Sequence, residues 1–398
     1  MTYPTAIGCG CLLGAGGASH VHAAQWSFQP TLSWALDFDS SRFLTPDSSG
    51  SEQAVLSADV LLQRSIENMQ LTLEPHFDLR RFSDSVYEPG DDRNITGTFA
   101  RSGERTQLSL SASIANQNTL TTELLQTGII NTNTRRRTET ASAELDLLRT
   151  EEHLFFTQLS YLGSSYSGSA YVQEVLPGYR YVSAAVGERF ILSEHLTLSP
   201  SVFGDILHSD RAGGSSHEEG LQVDLKYAHS ERTSFDLQLG ESRRYLSTVV
   251  GNPTSLAAAT FATTASNGTN VSASVTHNFE LSSLSFSYSR SLVPYGNGFL
   301  VQRQQITASA RRSLTPTVDT DLSVTRVQNN DSTVRLGLDR RYYDNGVAGL
   351  NWKLGETWTL RSEVSTSWTT PIGSSVVVHE WRTALTMTWK PNPQVMSR

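Results

Sequence analysis

From Gln25 to Asp39 the chain reads QWSFQPTLSWALDFD, with Trp26, Phe28, Pro30, Leu32, Trp34, Leu36 and Phe38 separated by Ser27, Gln29, Thr31, Ser33, Ala35 and Asp37. A period of two puts the large apolar residues on one face of a β-strand and the polar ones on the other. The pattern recurs in Leu71, Leu73, Pro75, Phe77 and Leu79, then in Leu196, Leu198, Pro200 and Val202, and again in Leu221, Val223, Leu225 and Tyr227. Phe235, Leu237 and Leu239 continue it, as do Val271, Ala273 and Val275, and its last run spans Val377 to Trp389. The runs number about 18 and are roughly ten residues long each. Reading TVRLGLDRRYY within 327–346 as an extension of a neighbouring strand lowers the number to 16. LAAATFATTA at 256–265 is the nearest approach to a helix, and its threonines with flanking Asn and Gly favour a loop.

The connections alternate in length. Short polar ones such as SIEN (65–68), LSEH (192–195), SERT (230–233) and GET (355–357) alternate with longer stretches rich in Gly, Ser, Asn and Asp at 83–93, 117–137, 163–178, 247–268 and 293–301. Short turns at one end and long loops at the other, between amphipathic strands, predict an all-β chain. The expected fold is a transmembrane antiparallel up-and-down barrel of the Gram-negative outer membrane, with periplasmic turns and extracellular loops. A soluble β-helix or propeller would carry glycine-rich repeats or blade signatures, and the chain has neither. The apolar side of each strand is then covered by lipid and lipopolysaccharide. Trp26, Trp34, Trp352, Trp358, Trp368, Trp381 and Trp389 are the candidate aromatic girdle, in which an amphipathic ring sits at headgroup depth.

Composition sharpens this only in places. Only 38% of the 398 residues are hydrophobic, which fits a barrel because alternate residues alone meet lipid. Residues 1–24 contain no Asp, Glu, Lys or Arg and end in small residues, so they read as a signal peptide. Residues 25–390 are the barrel and 391–398 a short periplasmic tail. Cys9 and Cys11 both lie in the leader, leaving the mature chain without thiol chemistry or disulfides. The net charge of −8 argues against a nucleic-acid partner. Lys226, Lys353 and Lys390 are the only lysines among 31 basic residues, and arginine, with its planar fork for carboxylate and phosphate, supplies the rest.

No Walker loop, dinucleotide fingerprint or HExxH sequence is present, and no cofactor or metal is expected. His208 and Asp210 in LHSDR could form a hydrolytic dyad, but two loop residues two apart more simply read as solvated. His229 and His277 fall on the apolar side of their strands, and serine is too abundant for a Ser–His pairing to be informative. EPGDDR (88–93) is an acidic turn that could hold a divalent cation beside lipopolysaccharide phosphates. The parity rule is more informative. It places Arg80, Arg244, Arg311, Arg335 and Arg341 on the inner face, together with Glu74, Asp78, Glu144, Asp146, Asp224 and Asp236. Arg135, Arg136 and Arg137 stand where a long loop re-enters the wall. Such an interior either lines an aqueous passage whose charges set selectivity, or cross-links a closed wall through arginine–carboxylate networks. Arg290 and Arg326 fall on the apolar parity, near strand ends, where they can reach phosphates.

The stretch TLTTELLQTGIINTNTRRRTETASAELD (119–146), the preceding SLSASIA strand and turns such as LSEHLTLS resemble a family of largely uncharacterised outer-membrane barrels. Its members are associated with exopolysaccharide production and exosortase (PEP-CTERM-type) protein sorting. The resemblance runs loosely over residues 25–390. It implies no catalytic residues, polysaccharide or other polar surface material as cargo, and a polysaccharide-export or periplasmic partner; the charged interior then reads as a passive channel, with a non-conducting scaffold or adhesin as the alternative. WRTALTMTWK resembles the C-terminal strand read by the barrel-assembly machinery, except that KPNPQVMSR follows it.

Overall fold

The computed structural model describes residues 24–40, 50–83, 90–119, 134–169, 172–173, 176–210, 215–250, 260–296, 298–330, 340–369 and 377–397. Residues 1–23, read as most of a signal peptide, and Arg335 lie outside these residues. The first strands are β1 (Gln25–Asp39), β2 (Ser51–Ile66), β3 (Met69–Phe82), β4 (Gly90–Ser102), β5 (Thr106–Asn118) and β6 (Arg135–Leu148). There follow β7 (His153–Tyr166), β8 (Tyr179–Ser193), β9 (Leu196–Ser209), β10 (Ser215–Ser230), β11 (Thr233–Val250) and β12 (Thr260–Asn278). The last are β13 (Ser282–Pro294), β14 (Leu300–Thr315), β15 (Val318–Asn330), β16 (Arg340–Lys353), β17 (Trp358–Thr369), β18 (Val378–Trp389) and the short β19 (Gln394–Ser397).

Each of the first 18 strands pairs antiparallel with its sequence neighbours, and β1 pairs with β18, so the sheet closes on itself. Closure removes every edge, the condition for a sheet to cross a bilayer without unpaired backbone groups. β16 is a full strand of the wall, so the count is 18. Turns of 2 to 4 residues join the strands at one end and connections of 5 to 16 residues at the other. The terminal segment adds to the seam. β18 lies on the upper part of β1, with Leu32 opposite Trp389, and β19 resumes on its lower part, with Phe28 opposite Gln394. Pro391 and Pro393, which cannot donate to the ladder, sit in the one-residue bulge between them.

The strands run 12 to 19 residues, longer than the alternation predicts. On the outer face of β11 the order is Phe235, Leu237, Leu239, then Glu241 and Arg243. Backbone pairing thus continues past the point where lipid stops demanding apolar side chains, and hydropathy marks only the portion within the membrane. Residues 260–265, read from sequence as loop, are likewise the start of β12, where threonine suits an extended chain.

The sidedness is that of a lipid-solvated barrel. Leu221 (66% exposed), Ile206, Leu36, Ile95, Ile114, Leu322 and Val364 all stand on the outer face, whereas Asp37, Asp78, Asp146, Arg136 and Glu218 are buried inside. Turn-side Trp358 and loop-side Trp368 are ten residues apart on β17. That length of strand tilted by about 40° rises about 25 Å along the axis, the height of an outer-membrane apolar band. Trp34 and Trp358 meet edge to face at 6.5 Å on the turn side, and Phe38 and Trp381 at 5.2 Å on the loop side. Trp26 and Trp352 are exposed outside, Trp26 beneath the Arg64 guanidinium, and Trp389 is half-buried on the same face. Among the described residues no helix is long and apolar enough to cross a membrane.

Candidate functional site

Inner-facing charges are tied across neighbouring strands. On β3, the Arg80 guanidinium lies 2.8 Å from Asp78 and 3.3 Å from Asp92 of β4. His76 bridges Asp78, at 3.1 Å, and Asp59 of β2. Arg189 of β8 reaches Asp146 at 3.4 Å and Glu144 at 4.0 Å and lies over the Phe156 ring. Arg244 is buried and donates from Nε to the fully buried Glu218 at 3.1 Å and from Nη2 to Asn270 Oδ1 at 2.8 Å. Its guanidinium lies so close to the Cα of Gly268 that a Cβ there would overlap it. Arg311 pairs with Asp319 at 3.3 Å, and Arg382 with Asp37 at 2.9 Å across the seam. Arg361 donates to both oxygens of Asp321, at 2.7 and 3.0 Å, and to Glu363 at 2.8 Å.

The three consecutive arginines part company. Arg136 points inward, bonding Ser164 at 2.8 Å and the Tyr179 hydroxyl at 3.0 Å. Arg137 is exposed outside beside Glu139 at 2.7 Å, and Arg135 donates to the Asp91 carbonyl. Asp236 accepts from Ser274 at 3.2 Å, Asp224 lies near Gln238 and Lys226, and Glu74 is exposed in the lumen. Arg341 sits opposite Asn329 in the β15–β16 ladder, its side chain outside the described residues. Arg189, Arg361 and Arg382 were open to the same parity rule; the signal is a charge pair two apart on one face, as in Arg361 and Glu363.

Several apparent chemical motifs do not assemble. His208 is exposed on the outer face and meets Ser215 at 3.3 Å, not Asp210. His277 meets Thr233 at 2.7 Å and His229 meets the Tyr227 hydroxyl at 3.3 Å. Of the acidic stretch 88–93, Glu88 and Pro89 lie outside the described residues, Asp91 and Asp92 are each taken by an arginine, and no metal-ligand cluster occurs among the described residues.

The outer mouth is where the interior changes character. Leu162, Tyr179, Tyr181 and Leu207 of β7–β9 form one apolar cluster with Leu246 of β11, Leu292 of β13 and Leu300 of β14. In a round 18-strand wall opposite backbones stand about 36 Å apart, and β9 and β13 about 23 Å, more than two side chains can span. The β13–β14 hairpin therefore leans over the lumen. Its tip is a turn in which Gly298 N–H donates to the Tyr295 carbonyl at 2.9 Å, and Tyr295, Phe299 and Val301 are buried. Gly298 has φ +82°, and a Cβ there would overlap Ser209 Oγ and abut Pro177. The β7–β8 connection supplies the other half of the closure through Pro177 and the fully buried Leu176. The sequence signal was available: VPYGNGFLV is an apolar stretch in a connection, and apolar residues in a loop need something to cover them.

The Arg361 fork allows a stability prediction. Arg361→Met leaves Asp321 and Glu363 facing each other without a cation. With the pair roughly a third exposed, the expected loss is about 1–2 kcal/mol, read as a lower urea midpoint for unfolding from vesicles.

A closed 18-strand wall, apolar outside and ion-paired inside, makes this chain a Gram-negative outer-membrane β-barrel. No protein-family model matches it, and no curated protein sequence does. Among solved structures it is similar to Acinetobacter baumannii OccAB4, at 9% identity over 94% of this chain and 98% of that one, with a TM-score of 0.48. Pseudomonas aeruginosa OpdQ matches at 9% identity over 92% and 99%, TM-score 0.49, and P. aeruginosa OccK8 (OprE) at 9% over 93% and 98%, TM-score 0.49. No residue correspondence follows from matches at this identity.

Proposed function

We propose that the barrel is a passive channel for polar solutes, throttled at its outer mouth by the inward-leaning β13–β14 hairpin. The observation that carries this is the 18-strand circumference, because walls of 16 to 18 strands leave an aqueous passage that side chains cannot fill. Rows of paired arginines and carboxylates give that passage a wetted surface of both signs, suited to hydroxyl-rich cargo and to weak charge discrimination. Polysaccharide or related surface material is the cargo this reading favours, on the resemblance of residues 119–146 and of the serine-rich strands around them. The signal peptide, the periplasmic end of the chain and the barrel-assembly machinery belong to the same reading.

A second reading draws on the mouth itself. The apolar cluster joining β7–β9 to the hairpin tip could keep the barrel shut, making it a scaffold for a periplasmic or surface partner. Purified protein in a planar bilayer separates the two. Discrete ohmic steps are expected of the channel; a persistent seal together with a co-purifying partner identifies the scaffold. Neither reading assigns catalysis, and the hydrolase alternative fails if His208→Ala leaves any lipid or peptide hydrolysis unchanged.

A further inference from the structure

The wall is split above Val271. β12 and β13 stop pairing at Val271 and Arg290, although β11–β12 pairing continues to Val250 and Thr260 and β13–β14 pairing to Pro294 and Leu300. As the β13–β14 hairpin leans inward, it leaves a cavity of about 300 Å³ between itself and the β11–β12 hairpin, lined by Glu241, Arg244, Asn267, Thr269, Arg290 and Gln302. Its depth can be read from the outer face. Leu239 gives way to Glu241 on β11, Val271 to Thr269 on β12 and Tyr288 to Arg290 on β13. The floor of the split therefore coincides with the upper edge of the apolar belt, at the headgroups of the outer leaflet.

Arg290 differs from the arginines around it. Arg244 is neutralised by Glu218 at 3.1 Å, and Arg326, which shares the outward parity of Arg290, is neutralised by Asp344 at 3.5 Å. Arg290 bonds Gln302 Oε1 at 3.2 Å, its Nε is buried without a hydrogen-bond partner, and it has no carboxylate partner among the described residues. No carboxylate offsets the Arg290 guanidinium where it lines the cavity, and a phosphate is the natural complement of a cation so placed. The remaining polar lining is mixed. The Thr269 hydroxyl and the amides of Asn267 and Gln302 both donate and accept, while the Glu241 carboxylate only accepts. Such a set suits sugar hydroxyls better than a bare anion.

We infer that this split binds the head of a phosphorylated glycolipid of the outer leaflet. Arg290 takes the phosphate, Glu241, Asn267, Thr269 and Gln302 meet the sugar, and the acyl chains lie on the belt below. The site stands whether or not the lumen conducts.

The test is native mass spectrometry of detergent-solubilised protein titrated with bisphosphorylated lipid A, with heat-modifiable migration confirming that each variant is folded. Arg290→Gln is expected to weaken lipid A binding about tenfold, the loss of one charge-assisted contact. Arg290→Lys should keep most of the affinity and Arg326→Gln all of it. Phosphatidic acid should bind the wild type more weakly than lipid A, and millimolar inorganic phosphate should not displace lipid A. Unchanged binding by Arg290→Gln, or an equal loss in Arg326→Gln, would overturn the site. Equal binding of phosphatidic acid would overturn the sugar recognition, and displacement by inorganic phosphate would identify a free-anion site instead.

Discussion

Replacing Gly298 with valine is expected to raise single-channel conductance several-fold while leaving the wall folded. At φ +82° a β-branched residue is a genuine outlier, and the left-handed backbone alone costs about 1–2 kcal/mol there. The new side chain also crowds the Cβ of Ser209 and the ring of Pro177, both fixed close to their own backbone at the end of β9 and the entry to β8. The hairpin has somewhere else to go. Above Arg290 it is already free of β12, so swinging outward breaks no strand pairing. What it loses is the place of Leu292 and Leu300 in the apolar cluster with Leu162, Tyr179, Tyr181, Leu207 and Leu246. Leu292→Asp attacks the same contact from the other side, placing a carboxylate in an apolar cluster, and should open the mouth likewise. Strand content and heat-modifiability should match wild type in both variants. A folded Gly298→Val barrel conducting no more than wild type would mean that the hairpin tip is not what limits flow.

The sequence exposed one half of this molecule far better than the other. Lipid imposes its demand on every second residue for the height of the belt, so the strands, their number and the inner parity of Asp78, Arg80, Asp146 and Arg244 could be read without coordinates. Partner choice could not. Arg361 and Asp321 are 40 residues apart, and only the register of β15, β16 and β17 brings them to 2.7 Å. Arg290 and Arg326 look alike in parity, yet one is neutralised by Asp344 and the other is left beside a split in the wall. The closure at the mouth was hidden for a different reason. Period-two reasoning treats residues 293–301 as a connection to be counted by length, whereas their function depends on where a bent hairpin sets Phe299 and Gly298 down. Strand ends were misjudged because hydropathy falls silent at the headgroups while the hydrogen-bond ladder continues.

Val364→Arg is the decisive variant for a lipid-covered outer face. Val364 lies midway between the girdle tryptophans Trp358 and Trp368 of β17 and is 53% exposed on the outside. If hydrocarbon surrounds it, Val364→Arg puts a guanidinium at the bilayer midplane, where the cost on a barrel exterior is about 2–4 kcal/mol. The same substitution on a water-facing strand would cost only the modest difference in β-propensity and cross-strand packing, since long polar side chains are tolerated there. The expected result is therefore a loss of about 2–4 kcal/mol in reversible urea-dependent folding into vesicles. Leu354→Arg, on the same outer face beside Trp358 at the turn-side headgroups, is the matched control and should cost far less, because an arginine at that depth snorkels to phosphate. A Val364→Arg barrel as stable as wild type in vesicles would mean that this face is wet. The inside-out sidedness would then need another solvent or a partner protein to cover Leu221, Ile206 and their neighbours, and the pore reading would lose its foundation.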